Sequence, residues 1–240
     1  MRYGVISDIH ANMEALEKVL EALADVDAIW CLGDIVGYGP EPNLVARRVR
    51  EVSEVAIMGN HDHAAVGKEN LNYFSPFAGS AALWTQGCLD ADVFAWLSSL
   101  PFSVTVGKAR LVHSGPSRPK AWEYLFSVAS AESEFGAFDE AICFVGHSHM
   151  PALFELAPTG RVRALDECAY SLDSECRYIL NVGSVGQPRD GDPRASCAVY
   201  DDEAGAVELR RVEYGISVTQ EKIHAVGLPA ILARRLSFGE

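Results

Sequence analysis

Hydrophobic and polar positions repeat with two different periods along the first sixty residues. Tyr3–Ser7 is a short apolar run of strand length. It is followed by Asn12–Ala24, where Met13, Leu16, Val19, Leu20 and Leu23 recur at helical spacing. Ala28–Leu32 reads as a second buried strand and Val55–Met58 as a third. Between them, Pro42–Val52 reads as a helix opening on proline, whose fixed φ suits a first helical turn. Strand–helix–strand alternation with short links predicts βαβ units and a largely parallel first sheet. Pro76–Leu100 is mostly helical and is closed by Pro101. Beyond it the period shortens. Phe102–Val106 and Arg110–His113 predict a hairpin through Gly107, and Ala141–Val145 another buried strand. Leu153–Leu156, Tyr178–Asn181, Ala195–Tyr200 and Ala206–Val212 predict further short strands. The second half is therefore expected to build a more antiparallel sheet, giving an α/β fold of two sheets flanked by helices. No repeat, linker or low-complexity segment interrupts residues 1–240, which are read as a single domain.

Composition narrows the setting. At 240 residues and 49% hydrophobic content, the chain is long enough to bury a core without staples. No apolar run approaches the roughly 20 residues of a spanning helix. Met1–Ser7 carries one basic residue and then runs into acid and histidine, which is not the pattern of a signal peptide. Twenty basic residues face 33 acidic ones, a formal net charge of −13, and no Lys/Arg run exceeds a pair. Stable nucleic-acid binding and membrane binding are not expected of such a surface. An anionic substrate would need cations to approach it. None of the six cysteines forms a C-x-x-C, and Cys31, Cys143 and Cys197 lie in strand-like stretches. Free thiols in a reducing, cytoplasmic setting are expected, with Cys168 and Cys176 the pair to check.

Histidine carries the chemistry. Six of the seven histidines fall in four short polar clusters: Asp8-Ile9-His10, Asn60-His61-Asp62-His63, His113-Ser114 and His147-Ser148-His149. A fifth cluster, Gly33-Asp34, has a carboxylate without histidine. Each follows a predicted strand, and α/β sheets bind ligands beyond the carboxyl ends of their strands. Asp8, Asp34 and Asn60 with His10, His113, His147 and His149 make seven ligands, too many for one ion and suited to two sharing a carboxylate. With no thiolate in the set, Mn²⁺ is favoured, with Fe or catalytic Zn²⁺ as alternatives. Two such ions about 3.5–4 Å apart clamp a phosphoryl group. A lone histidine at a strand end is more often a satisfied turn residue, but six in four clusters argue for a dinuclear site.

Asp8-x-His10, Gly33-Asp34, Gly59-Asn60-His61-Asp62, His113 and Gly146-His147-x-His149, in that order, resemble the five signature blocks of the calcineurin-like metallophosphoesterases. The stretch 181–189 resembles a loop of the smaller bacterial phosphodiesterase-like branch. The resemblance implies a four-layer α-β-β-α sandwich with two mixed sheets. It assigns Asp8, His10 and His149 to one ion, Asn60, His113 and His147 to the other, and Asp34 as the bridge. It makes His61 the acid that protonates the leaving oxygen after in-line attack by metal-bound hydroxide, with no covalent enzyme intermediate. The implied function is a phosphodiesterase acting on a small nucleotide-type or other phosphate ester. Alternatives are a small-molecule phosphomonoesterase and a non-catalytic metal-binding scaffold of the same fold.

The chain departs from the protein Ser/Thr phosphatases of that superfamily. Gly37 stands where their second block carries a histidine-orienting carboxylate, and their phosphate-gripping arginine is missing too, so a protein phosphatase is disfavoured. Asp62 is the nearest replacement to orient His61. Arg189 and Arg194 are candidates to grip phosphate, and Tyr38, Tyr73, Phe74, Trp84 and Trp122 to stack a base, against the plainer readings of surface salt bridges and core. His63 either meets substrate or faces solvent. His224 is read as structural, and the amphipathic Pro229–Leu236 as a core-packing or dimer segment. Oligomeric state is not legible.

Overall fold

The computed structural model describes residues 1–166 and 168–240. Strands β1 (Arg2–Ile6), β2 (Ala28–Cys31) and β3 (Ser53–Ala56) alternate with helices α1 (Met13–Ala22) and α2 (Pro42–Val52). Then come α3 (Asn60–Ala65), α4 (Pro76–Cys88), α5 (Ala91–Ser99), the hairpin β4 (Ser103–Val106) and β5 (Ala109–Val112), and α6 (Val128–Glu134). The chain continues through β6 (Ile142–Val145), β7 (Ala152–Leu156), β8 (Val162–Leu165), β9 (Ala169–Ser171) and β10 (Arg177–Asn181). It ends with β11 (Ala195–Asp201), β12 (Ala206–Val212), α7 (Ile216–Ala225) and α8 (Ala230–Arg234).

Two six-stranded mixed sheets face each other, in the orders β3-β2-β1-β11-β12-β9 and β4-β5-β6-β10-β7-β8. The period of two is visible in their packing. Val5, Trp30, Ala198 and Tyr200 of the first sheet meet Leu111, Phe144, Tyr178 and Leu180 of the second. The intervening residues Ile6, Cys31, Cys197 and Val199 point outward, into a core shared with Leu16 and Val19 of α1 and Val45 and Val49 of α2. On the far side, Ala131, Phe135 and Phe138 cover Cys143, Val145 and Ile179. Helix, sheet, sheet, helix is thus the layer order. Both faces of every central strand are buried, which is why these strands read as continuous apolar runs.

One expectation is corrected. The late strands do not all build the second sheet. β11 pairs antiparallel with β1 in the register Val5↔Ala198, and β12 and β9 extend the first sheet from there. The parallel neighbours of that sheet are β1 with β2 and β2 with β3; its other pairs are antiparallel. β8, β9 and α6 were not anticipated; α6 opens on a Ser127 cap that accepts from the Ser130 amide. All six cysteines are free, with Cys168 exposed and Cys176 buried. No helix among the described residues is long and apolar enough to cross a membrane.

Candidate active site

β1, β2 and β3 run parallel to one another, as do β5 and β6, and the loops after these five strands meet at one end of the sandwich. Asp8 and His10 follow β1, Asp34 follows β2, Asn60 follows β3, His113 follows β5, and His147 and His149 follow β6. All seven side chains are buried. Carboxylate oxygens and ring nitrogens of Asp8, His10, Asp34 and His149 lie within 4.8 Å of one another, and so do those of Asp34, His113 and His147. Asp34 belongs to both groups. Asn60 joins the second, its Oδ1 3.2 Å from His113 Nε2.

The loops are bent hard to achieve this. The non-glycine residues with positive φ among the described residues are Asp8, His10, Ala11, Asp34, Tyr38, Trp122, His147 and His149. Five are members of the cluster, and the other three adjoin it or line the cavity beside it. Such conformations cost about 1–3 kcal/mol each and persist where the surroundings impose them. Here the surroundings are backbone hydrogen bonds. Asp8 and His10 amides donate to the Gly33 and Asp34 carbonyls, and the His147 amide donates to Asp8 Oδ2 at 3.0 Å.

Each of the four clustered histidines gives one ring N–H to a main-chain carbonyl. His10 Nδ1 donates to Val36, His113 Nδ1 to Leu32, His149 Nδ1 to Gln187 and His147 Nε2 to Trp122. This arrangement sets ring orientation and leaves the other nitrogen for a cation. The residues fit such a cation on independent grounds. Asp8 Oδ1 and Asp34 Oδ2 are buried without a hydrogen-bond partner. His10 Nε2 and His149 Nε2 approach to 3.0 Å with both Nδ1 atoms already committed, so two lone pairs converge. Burial works to lower His113, yet Asp34 and Asp8 together push it up to about 9. The pocket holds an excess of negative charge that calls for positive charge.

His61 sits beside this group, its amide on Asp34 Oδ1 at 2.7 Å and its ring 4.3 Å from Tyr38 and 5.1 Å from Phe74. Burial, opposed by Asp34, holds the ring down at about 4. Its Nδ1 is buried and unpartnered, and a Cβ placed on Gly37 would lie 2.7 Å from it. A side chain at position 37 would therefore touch this nitrogen. Asp62 does not take over that role. Its Oδ1 accepts the Ile35 and Val36 amides and its Oδ2 the Gly59 amide, so it stitches two loops together and leaves His61 alone.

A cavity of about 570 Å³ opens over His61, Asn60 and His147. Tyr38, Tyr73, Phe74 and Trp122 line it as candidates; Trp84 does not, and Tyr124, stacked on His147 at 4.1 Å, was missed. Arg189 reaches the cavity, whereas Arg194 turns away to Asp192 at 2.6 Å. His63 neither lines the cavity nor faces open solvent: its Nδ1 meets Glu69 at 3.1 Å. His224 is exposed on α7. Arg235 and Lys120 also line the cavity and carried no motif that would have flagged them.

Residues 1–205 match the model of the calcineurin-like phosphoesterase superfamily domain. The chain belongs to that superfamily. It is accordingly a metal-dependent phosphoester hydrolase, and the resemblance read from the five blocks holds. An uncharacterized protein of Methanocaldococcus jannaschii is 40% identical over 98% of this chain and 97% of its own length. The crystal structure of a metallophosphoesterase from Sphaerobacter thermophilus is 42% identical, covers 100% of this phosphoesterase and 99% of that chain, and superposes with a TM-score of 0.89. A phosphodiesterase of Escherichia coli strain K12 is 38% identical over 74 residues, 26% of this chain and 40% of its own.

Proposed function

We propose that this phosphoesterase is a dinuclear phosphodiesterase that hydrolyses a small nucleotide-type phosphate ester. The carrying observation is Asp34, shared by two ligand groups that otherwise have no member in common. On this reading Asp8, His10 and His149 hold one divalent ion, Asn60, His113 and His147 the other, and Asp34 lies between. The oxygen and imidazole donor set suits Mn²⁺. Two bound ions supply Lewis acidity and neutralise the phosphate's charge.

The chain's own residues do the rest. Oriented imidazoles and two buried carboxylates would hold the ions in the positions at which the phosphate is met. His61, ligated to nothing, lines the cavity and is the group that gives a proton to the departing oxygen. The approach of an anionic phosphate restores the protonated ring that burial disfavours. Tyr38, Phe74 and Trp122 give the ester's organic portion an apolar wall. The similarity to a named phosphodiesterase supports the diester over the monoester.

The test is hydrolysis of bis(p-nitrophenyl) phosphate and p-nitrophenyl phosphate by stripped protein resupplied with Mn²⁺, beside Asp34→Asn. Diester cleavage that needs both the ion and Asp34 is the expected result. Cleavage of the monoester alone would move the assignment to a phosphatase. Two ions bound without turnover of either would make the chain a scaffold.

A further inference from the structure

The cavity has a second chemical end. Besides Asn60, His61 and His147, its wall carries two guanidinium groups, Arg189 from the loop after β10 and Arg235 from the turn after α8. One side chain holds both. Gln187 Oε1 accepts from Arg189 Nη2 at 2.9 Å and from Arg235 Nη1 at 3.4 Å. The main-chain carbonyl of the same Gln187 accepts from His149 Nδ1. The two arginines are thereby fixed with respect to the ligand cluster through a single residue.

What they lack is an ion-pair partner, Glu240 acting on Arg235 only from beyond 4.0 Å. In a chain with 33 acidic and 20 basic residues, arginines readily find carboxylates, as Arg47, Arg194, Arg210 and Arg211 do. Neither Arg189 nor Arg235 has a carboxylate within 4.0 Å among the described residues, and the Nε of each is buried without a partner. Among the described residues the one carboxylate lining the cavity, Glu69, is occupied by His63 and the Trp122 indole. Two like charges are held side by side, and burial together with Arg189 lowers Arg235 from its ordinary value. Such a pair is costly unless an anion completes it. Planar guanidinium forks match phosphate oxygens in geometry.

The pair stands beside the reacting centre and supplies none of its ligand atoms. Arg189 lies over Tyr38 at 5.6 Å, the ring of that phenol is 4.3 Å from His61, and the guanidinium acts on both His61 and His149. Arg235 is delivered by the C-terminal segment, outside the matched residues 1–205. Leu232 and Leu236 dock that segment on Tyr38, Ala78 and Ala81, and Gln220 pins it through the Ala233 carbonyl and Ser237.

We infer that Arg189 and Arg235, held by Gln187, form a second anion subsite that binds a phosphoryl group other than the one hydrolysed. The inference rests on the proposed phosphodiester reading and narrows its substrate class to esters carrying two or more phosphoryl groups, such as a nucleoside diphosphate or triphosphate portion. A substrate with a single phosphate leaves the subsite unfilled.

The experiment is calorimetric titration of the metal-free full chain with tripolyphosphate and with orthophosphate at fixed ionic strength. Wild type is expected to bind tripolyphosphate at least about tenfold more tightly, the equivalent of one charge-assisted contact. Arg189→Gln and Arg235→Gln should each abolish that preference while circular dichroism and urea midpoint stay those of wild type. Arg235→Lys, which keeps the charge and loses the fork, should restore only part of it. Equal affinity for the two anions in wild type overturns the inference, as does a preference that survives both substitutions. The diester assay stands apart. A preference that depends on both arginines in a protein without turnover would sink the phosphodiesterase reading and leave the subsite standing. Turnover without the preference would do the reverse.

Discussion

Gly186 is the position where a single methyl group should cost the most. A Cβ built there would lie 1.9 Å from the Ile9 carbonyl oxygen and 2.6 Å from its carbon. Carbon and oxygen settle no closer than about 3.3 Å, so the two loops must part by more than about 1 Å. Four hydrogen bonds span that seam: Gly186 amide to Asp8 carbonyl at 2.9 Å, Ser184 Oγ to the same carbonyl at 2.8 Å, Val185 amide to Ser7 carbonyl at 3.0 Å, and Asn12 Nδ2 to Gly186 carbonyl at 3.0 Å. At about 0.5–1.5 kcal/mol each, losing three of them in Gly186→Ala costs about 1.5–4.5 kcal/mol. In a chain of this length that lowers Tm by about 3–18 °C. Function suffers separately, because Asp8 and the His149-holding Gln187 flank the seam. Misplacing such groups by about 1 Å costs on the order of 100-fold in rate. Urea and thermal unfolding, with kcat/KM on bis(p-nitrophenyl) phosphate, measure both effects. A variant within about 2 °C of wild type and within about threefold of its activity would refute the close approach and the role given to the seam.

Gly87 is the counterpart: it lies within α4 with nothing inside 4 Å of a built Cβ, so Gly87→Ala should raise stability by about 0.5–1 kcal/mol in the same urea experiment. Chelation should lower Tm and Mn²⁺ should restore it in a concentration-dependent way, reaching about 2.7 kcal/mol at 100 times Kd, and Asp34→Asn should remove that dependence in a thermal-shift titration. His61→Ala should slow esters with poorly leaving alkoxides by about 10²–10⁴-fold and p-nitrophenyl esters far less; equal losses on both would end its assignment as the acid. The buried Glu155 carboxyl is held below its ordinary 4.5 by the Arg163 hydrogen bond, with burial opposing and Tyr170 and Tyr178 assisting. A depressed acid contributes stability that is present above the unfolded value and lost as pH falls through the folded one. Urea midpoints should therefore decline as pH drops below about 4.5, and Glu155→Gln should flatten that decline.

Much of the site was legible because its chemistry is local. A histidine two residues from an aspartate at a strand end needs only the strand to be recognised. Five such ends on parallel strands converge whatever the loops do in detail. The aromatic and basic candidates divided for a different reason. Tyr38, which shares a loop with Asp34, is the best placed of the aromatics by sequence and does line the cavity, but nothing in the neighbours of Arg189 and Arg194 along the chain says that the first faces it and the second does not. Asp62 shows the limit of adjacency. It is next to His61 in sequence, but as the third residue of a short helix turn its carboxylate swings back onto the Gly59 amide and across to Ile35 and Val36.

The alternation of apolar runs and helical repeats determined by itself the strands other than β8 and β9, the paired helices α1 and α2, and the end at which the polar clusters gather, since those follow from period and chain direction. Sheet membership did not follow. β11 alternates apolar side chains on both faces and would satisfy either sheet; only the room beside β1, in the register Val5↔Ala198, decided it. Gln187 holding His149, Gly37 lying against His61, and Arg235 returning to Gln187 from the far end of the chain are likewise contacts between distant segments. Their energies depend on distance in space, which a one-dimensional pattern does not contain.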